Sequence, residues 1–260
     1  MRLEEIVPVL MCGGEGKRLR PLSRKSCPKP FIRVWGQDSL FQKTLKRVVK
    51  LAPPIILTRW DLKDIVVEQV GEVEFVLEPC AKNTAPAILK MCLEAVNPDQ
   101  YHLFLPTDHE IQDMSPLLEV IENIGDCEGQ IILFGIEPDC PATRYGYIGQ
   151  SPVEFHEKPS PDLATSYIEK GFLWNSGMVL ATPRTILEEA EKYIPEILAL
   201  VRDNRYQEIE SISFDYAVLE KSEIIKCCPV KMSWMDVGTW GSFLTYFRST
   251  YEQSYRKAKY

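Results

Sequence analysis

Residues 7–21, VPVLMCGGEGKRLRP, run from a short apolar stretch into three glycines within four positions and then into Lys17, Arg18 and Arg20. A strand breaking into glycines and cations has the outline of a polyphosphate cradle. Glycine leaves backbone N–H groups open to phosphate oxygens, and the cations offset phosphate charge. The same letters also fit a solvated turn with surface charges. Two standard loops fail on spacing. From Gly14 and Gly16, the third glycine of a dinucleotide fingerprint would fall on Leu19, and a P-loop would need Ser or Thr where Arg18 stands.

Outward from this stretch, β-rich runs at 6–11, 54–58, 74–77, 102–105 and 131–136 alternate with amphipathic segments near 39–50, 61–70, 84–96 and 115–125. Such alternation predicts an α/β fold with a mostly parallel central sheet and helices on both faces. Ligands of such sheets gather outside the carboxyl ends of the strands, where the glycine loop, Glu78 and Thr107-Asp108 all fall. After about residue 140 the rhythm shortens, with turn-punctuated pieces around 145–147, 155–159 and 174–182. Helices follow near 183–201 and 213–221. This half is expected to face substrate, with Asn175-Ser176-Gly177 as a turn and the last fifteen residues as an exposed helix with a charged tail.

The 260 residues suit one domain, and a formal charge of −7 excludes a general nucleic-acid surface. Acidic residues precede the first apolar run, unlike a secretory signal. No apolar stretch approaches the roughly 20 residues of a membrane span. A cytoplasmic protein with neither membrane nor nucleic-acid partners is expected. The eight cysteines form no C-x-x-C pair and read as reduced, mostly buried thiols.

Asp108 in LPTDH and Asp236 in WMDVGTW both stand beside strand or turn signals. Each alone reads equally as a cap or turn residue. Taken with a phosphate loop, the two suit one Mg²⁺ that also takes phosphate oxygens and water. His102, His109 and His156 lack zinc-ligand spacing, and no G-x-S-x-G elbow is present. The segment EPCAKNTAPAI, 78–88, is either an ordinary strand-to-helix turn capped by Thr84 or a base pocket. In the second reading the Glu78 carboxylate accepts from both N1–H and the 2-amino group of guanine. Lys29 in CPKPF and Lys158 in HEKPS are proline-flanked lysines, solvated or functional.

In order, GGEGKRLRPLSR, PKPF, EPCAKNTAPAI, LPTDH, FGIEPDCPATRYGYI, FHEKP, FLWNSGM, SFDYAVLEKS and WMDVGTWGSF closely resemble the mannose-1-phosphate guanylyltransferases of the sugar-nucleotidyltransferase superfamily over roughly residues 6–245. The resemblance implies a Rossmann-like nucleotidyltransferase fold that converts GTP and mannose 1-phosphate to GDP-mannose and pyrophosphate with Mg²⁺. It assigns Gly13, Gly14, Gly16, Arg18 and Lys29 to the triphosphate, with Arg18 and Lys29 as the catalytic cations. Glu78, Asn83 and Thr84 fall by the guanosine, Asp108 and Asp236 at the metal, and Gly146, Glu157, Lys158 and Asn175 at the sugar phosphate, with Asp215 a weaker candidate. Arg20, Pro30 and Arg144 depart from the common pattern, and Arg144 leaves other sugars open, a manno-heptose or glucose 1-phosphate among them. A silent sugar-nucleotide sensor is the rival of a different class. A single catalytic domain over 1–260 is expected, without the C-terminal β-helix or isomerase domain of some relatives, and a homodimer through another interface stays open.

Overall fold

A computed structural model of the chain describes residues 1–257 apart from Glu15, Trp35, Gly36, Asp126, Ser151 and Pro152, with side chains described through Glu252. The elements are β1 (Val7–Met11), α1 (Leu40–Arg47), β2 (Ile55–Arg59), α2 (Lys63–Val70), β3 (Glu74–Glu78), α3 (Thr84–Glu94), β4 (His102–Pro106), β5 (His109–Ile111) and α4 (Ser115–Asn123). They continue with β6 (Ile131–Ile136), β7 (Tyr147–Gln150), β8 (Val153–His156), α5 (Pro161–Glu169), β9 (Leu173–Ala181), α6 (Pro183–Tyr193), α7 (Pro195–Arg202), β10 (Ile225–Pro229), β11 (Trp234–Asp236) and α8 (Trp240–Lys257).

The central sheet runs β10-β6-β9-β4-β1-β2-β3, with the β7–β8 hairpin attached to β9 and a separate two-stranded pair, β5–β11. Along that path β9 alone runs against its neighbours. Side chains alternate between two cores, as a pleated strand requires. Leu10, Leu103, Leu105 and Phe134 point to the face covered by α1, α2, α4 and α5, whereas Val9, Phe104 and Leu133 point to that of α3, α6 and α7. Both faces are buried, which explains the nearly unbroken apolar strands.

Four features differ from expectation. Residues 174–182 are not turn-punctuated: β9 crosses the sheet centre, and Asn175-Ser176-Gly177 lies within it. Gly177 takes φ +73°, the register shifts opposite Leu133 and Gly135, and the Asn175 side-chain oxygen accepts from the Gly177 N–H at 3.0 Å. A bulge has the composition of a turn. The helix expected over 183–201 breaks at Ile194, because Pro195 biases its predecessor away from helical geometry. The cap of α3 is Asn83, at φ +72° with its side chain accepting from the Thr84 N–H, and not Thr84. Finally, the helix expected over the last fifteen residues is present in α8 but is not exposed throughout: Tyr246 is buried in a third core with Leu19, Val34, Leu40, Val237 and Phe243, while the side chains of the charged tail lie outside the described residues.

Candidate active site

The carboxyl ends of β1, β2 and β3 build the floor of the glycine loop. Arg59, at the end of β2, is buried and pairs with Asp61 through two nitrogens, at 2.8 and 2.9 Å. A third nitrogen donates to the Gly13 carbonyl at 3.2 Å, so the guanidinium ties the loop to the sheet. Beneath Gly13 lies Glu78, only 4% exposed, whose Oε1 accepts from the Tyr206 hydroxyl at 2.8 Å. A Cβ on Gly13 would come within 3.1 Å of Glu78 Oε2. Gly16 sits at φ +60°, and its carbonyl accepts from the Ser23 hydroxyl at 2.6 Å. Its Cα faces Lys29 so closely that a Cβ would lie 2.9 Å from Lys29 Cβ. Cys12 is buried with its thiol pushed up to about 12 by burial, which keeps it inert.

Lys29 is 5% exposed, and its Nζ lies 2.6 Å from Asp108 Oδ2 and 3.0 Å from Asp236 Oδ1. The three residues come from separate parts of the chain. Lys29 opens a 3-10 turn, Asp108 follows β4, and Asp236 ends β11, which pairs antiparallel with β5 so that Asp236 stands opposite His109. Burial opposes the Lys29 charge, but Asp108 and then Asp236 outweigh it and raise its pKa. Asp108 is held well below the usual carboxylate range: burial pushes it up, yet Lys29 and His109 together win.

An open cleft extends from this centre, lined by Thr84, Gly146, Glu157, Asn175, Asp215 and Asp236 among others. Gly146 permits the approach of Glu157, since a Cβ there would stand 2.7 Å from Glu157 Oε2. Lys158, at φ +46°, pairs with Glu157. Asn175 donates to Asp215 Oδ1 at 3.0 Å, and Asp215 is raised to about 6 by burial and by Glu157. Arg144 also lines the cleft, with its guanidinium 4.5 Å over the Tyr145 ring.

The structure thus brings Lys29, Asp108 and Asp236 into contact and puts Thr84, Gly146, Glu157 and Asn175 around the adjoining cleft. Gly13 and Glu78 meet beneath the loop, while Gly14 and Arg18 are exposed on it. Thr84 is engaged as well, its hydroxyl accepting from the Phe214 N–H at 2.9 Å. Among the described residues no group of three or more metal-type ligands gathers. Sequence reasoning passed over Arg59, Tyr206 and Trp234. Arg59 had a local signal, Arg-x-Asp at a strand end. Tyr206 had none, because its partner lies 128 residues away.

Glu78 carries a pH signature. Burial raises its pKa to about 7, against the lowering effects of Tyr206, Arg59 and Lys90. The folded chain therefore binds a proton more tightly than the unfolded one, and stability from this group is present below about pH 4.5 and lost as pH rises to about 7. Glu78→Gln should flatten the melting temperature across that window relative to the parent chain, as thermal melts at successive pH values will read. Parallel curves would place the unfolded and folded values together.

A family model described as nucleotidyl transferase matches residues 7–253. The chain is 35% identical over 276 aligned residues to the alginate biosynthesis protein AlgA of Pseudomonas putida, covering 91% of this chain and 57% of that protein. It is also 35% identical over 283 residues to mannose-1-phosphate guanylyltransferase 2 of Escherichia coli O157:H7, covering 91% and 59%. A solved structure from Thermus thermophilus, described as a mannose-1-phosphate geranyltransferase, superposes with a TM-score of 0.83 at 31% identity, covering 91% of this chain and 77% of that one. The chain accordingly spans less than two thirds of the length of these two curated relatives. A match that begins at the first residue of β1 and ends inside α8 takes in every strand and the whole cleft, and by it the chain belongs to the nucleotidyl transferase family.

Proposed function

We propose that this chain transfers GMP from GTP to mannose 1-phosphate, forming GDP-mannose and pyrophosphate, in the cytoplasm. The observation that carries the reading is the Lys29 ammonium held between two carboxylates beside a cleft whose lining includes the polar residues Glu157, Asn175 and Asp215. The Escherichia coli relative, by its name a mannose-1-phosphate guanylyltransferase, supplies the nucleotide and the sugar. Eight free cysteines suit a reducing compartment.

An oxygen of the sugar phosphate attacks the α-phosphorus in line, the bond to the β-phosphate oxygen breaks, and pyrophosphate leaves with that electron pair. A phosphate monoester is largely dianionic at neutral pH, so no side chain has to take a proton. The work of the protein is alignment and charge neutralisation. Backbone N–H groups of Gly13, Gly14 and Gly16 hold the triphosphate, and Lys29 and Arg18 balance the charge of the leaving pyrophosphate. Asn83 and Thr84 flank the nucleoside, with Glu78 acting from beneath Gly13. Gly146, Glu157, Lys158 and Asn175 seat the sugar phosphate. Asp108 and Asp236, two carboxylates drawn together around the Lys29 ammonium, offer the hard oxygen donors that Mg²⁺ prefers and would hold it. The ion when bound neutralises phosphate charge.

Pyrophosphate release should be measured with GTP, ATP, UTP and dTTP crossed with mannose, glucose and heptose 1-phosphates. Release with GTP and mannose 1-phosphate alone is expected. Arg144 on the cleft wall favours the second reading, a guanylyltransferase for another sugar, which release with GTP and a different sugar would establish. Silence in every well would overturn both.

A further inference from the structure

His109 and Trp234 are unused by the chemistry above, yet they flank both carboxylates. Trp234 stands on β11 two residues before Asp236, hence on the same face of that strand. Asp236 pairs with His109 and Trp234 with Ile111, so Trp234 and His109 are diagonal neighbours across the two strands. The indole N–H of Trp234 donates to His109 Nδ1 at 3.2 Å. An indole nitrogen can only donate, so Nδ1 is the acceptor and the proton of the neutral ring sits on Nε2. That nitrogen faces Asp108 Oδ1 at 3.6 Å, while the other oxygen of Asp108 faces Lys29 at 2.6 Å. At 3.6 Å the approach is polar and short of a hydrogen bond, and a few tenths of an ångström close it.

The ring has little freedom. His109 is 9% exposed and lies edge-on to Trp234 with centroids 5.2 Å apart. Tyr145 also packs against Trp234, with ring centroids 5.0 Å apart. Gly177, in the β9 bulge, closes over His109, and a Cβ there would come within 3.6 Å of the ring.

We propose that Trp234 and His109 are a positioning pair for the two metal-binding carboxylates: the indole fixes the ring with its N–H on Nε2, and that N–H sets the orientation of Asp108. This rests on the reading of Asp108 and Asp236 as metal ligands given under Proposed function.

The test uses the full chain without nucleotide or sugar. Nitrogen NMR of the imidazole should show a neutral His109 protonated on Nε2, and Trp234→Phe, which keeps the ring and removes the donor, should give mixed tautomers. Mn²⁺ binding, followed by the EPR signal of the free ion, should weaken roughly tenfold in Trp234→Phe and in His109→Phe. His109→Gln, whose amide restores a donor towards Asp108, should recover most of that loss. Should Trp234→Phe fail to fold, the His109→Phe and His109→Gln pair decides the matter. A wild-type ring protonated on Nδ1, or Mn²⁺ affinity unchanged in His109→Phe, overturns the pair. Mn²⁺ binding that Asp108→Asn leaves intact overturns it together with the metal assignment. No arm reads guanylyl transfer, so failure of the mannose assignment is told apart from failure here.

Discussion

Asp108→Asn is expected to lower turnover by roughly 10³-fold while the chain still folds, the scale seen when a preorganised electrostatic group is lost from a reacting centre. The substitution keeps shape and removes charge. Lys29, at 5% exposure, loses its nearer partner but keeps Asp236 at 3.0 Å, so its ammonium is not stranded. The stability cost is therefore small, with melting lowered by a few degrees, in line with about 1 kcal/mol for a chain of this size. The sign with pH is definite. Asp108 has a folded pKa below its unfolded one, so its stabilisation is present above the unfolded value, near 3.9, and is lost as pH falls through the folded value. The deficit of the Asn variant should accordingly shrink in acid. Steady-state rates and melts at two pH values check this, and near-normal turnover would remove Asp108 from the centre.

Gly16→Val should cost turnover roughly 10²-fold, because small displacements of a catalytic group carry penalties of that order. A side chain at position 16 meets two obstacles. The backbone sits at φ +60°, a conformation that L residues with branched side chains scarcely adopt. Its Cβ would lie 2.9 Å from Lys29 Cβ and 3.2 Å from the Lys29 backbone nitrogen, and backbone cannot swing aside. The expected result is a Lys29 pushed off Asp108 and Asp236 and a protein less stable by about 1–3 kcal/mol. Gly14→Ala is the contrast, since a Cβ there meets nothing within 4 Å and the backbone N–H is kept. Rates near wild type in Gly14→Ala and collapsed rates in Gly16→Val would separate a glycine needed for packing from one that merely lies in the loop. Equal losses would return the role to loop flexibility.

The fold was legible wherever a local pattern reported burial. Strands β1, β2, β4 and β6 are nearly continuous apolar runs because both faces of the sheet are covered there, and their helices show the usual amphipathic stripe. Strand β9 was misread because Asn-Ser-Gly looks the same in a bulge as in a turn, and only the neighbouring strands decide between them. The burial of Tyr246 was equally hidden, since the surface it meets comes from Leu19, Val34 and Leu40, some two hundred residues earlier. At the site, residue types at strand ends pointed to Asp108 and Asp236, but their shared contact with Lys29 is a fact of three-dimensional closure. Glu78 shows the limit from the other side: its letter suits guanine recognition, while the fold buries it under Gly13 and gives one oxygen to Tyr206.

The reversed strand sorts the candidate site residues onto two sides of β4. Because β9 runs against its neighbours, its beginning, with Asn175, lies at the rim where the other strands end, and the β7–β8 hairpin carrying Gly146 and Glu157 nearby hangs from that same beginning. The glycine loop, Arg59 and Glu78 belong to strands on the other side of β4. On the function proposed above, the nucleotide side and the sugar side draw on separate stretches of the sequence, which meet along the hydrogen bonds between β4 and β9. On that same proposal, replacing the stretch from about 140 to 177 should change the sugar accepted and leave the nucleotide side untouched, provided Val179, Leu180 and Ala181 keep their register on β4.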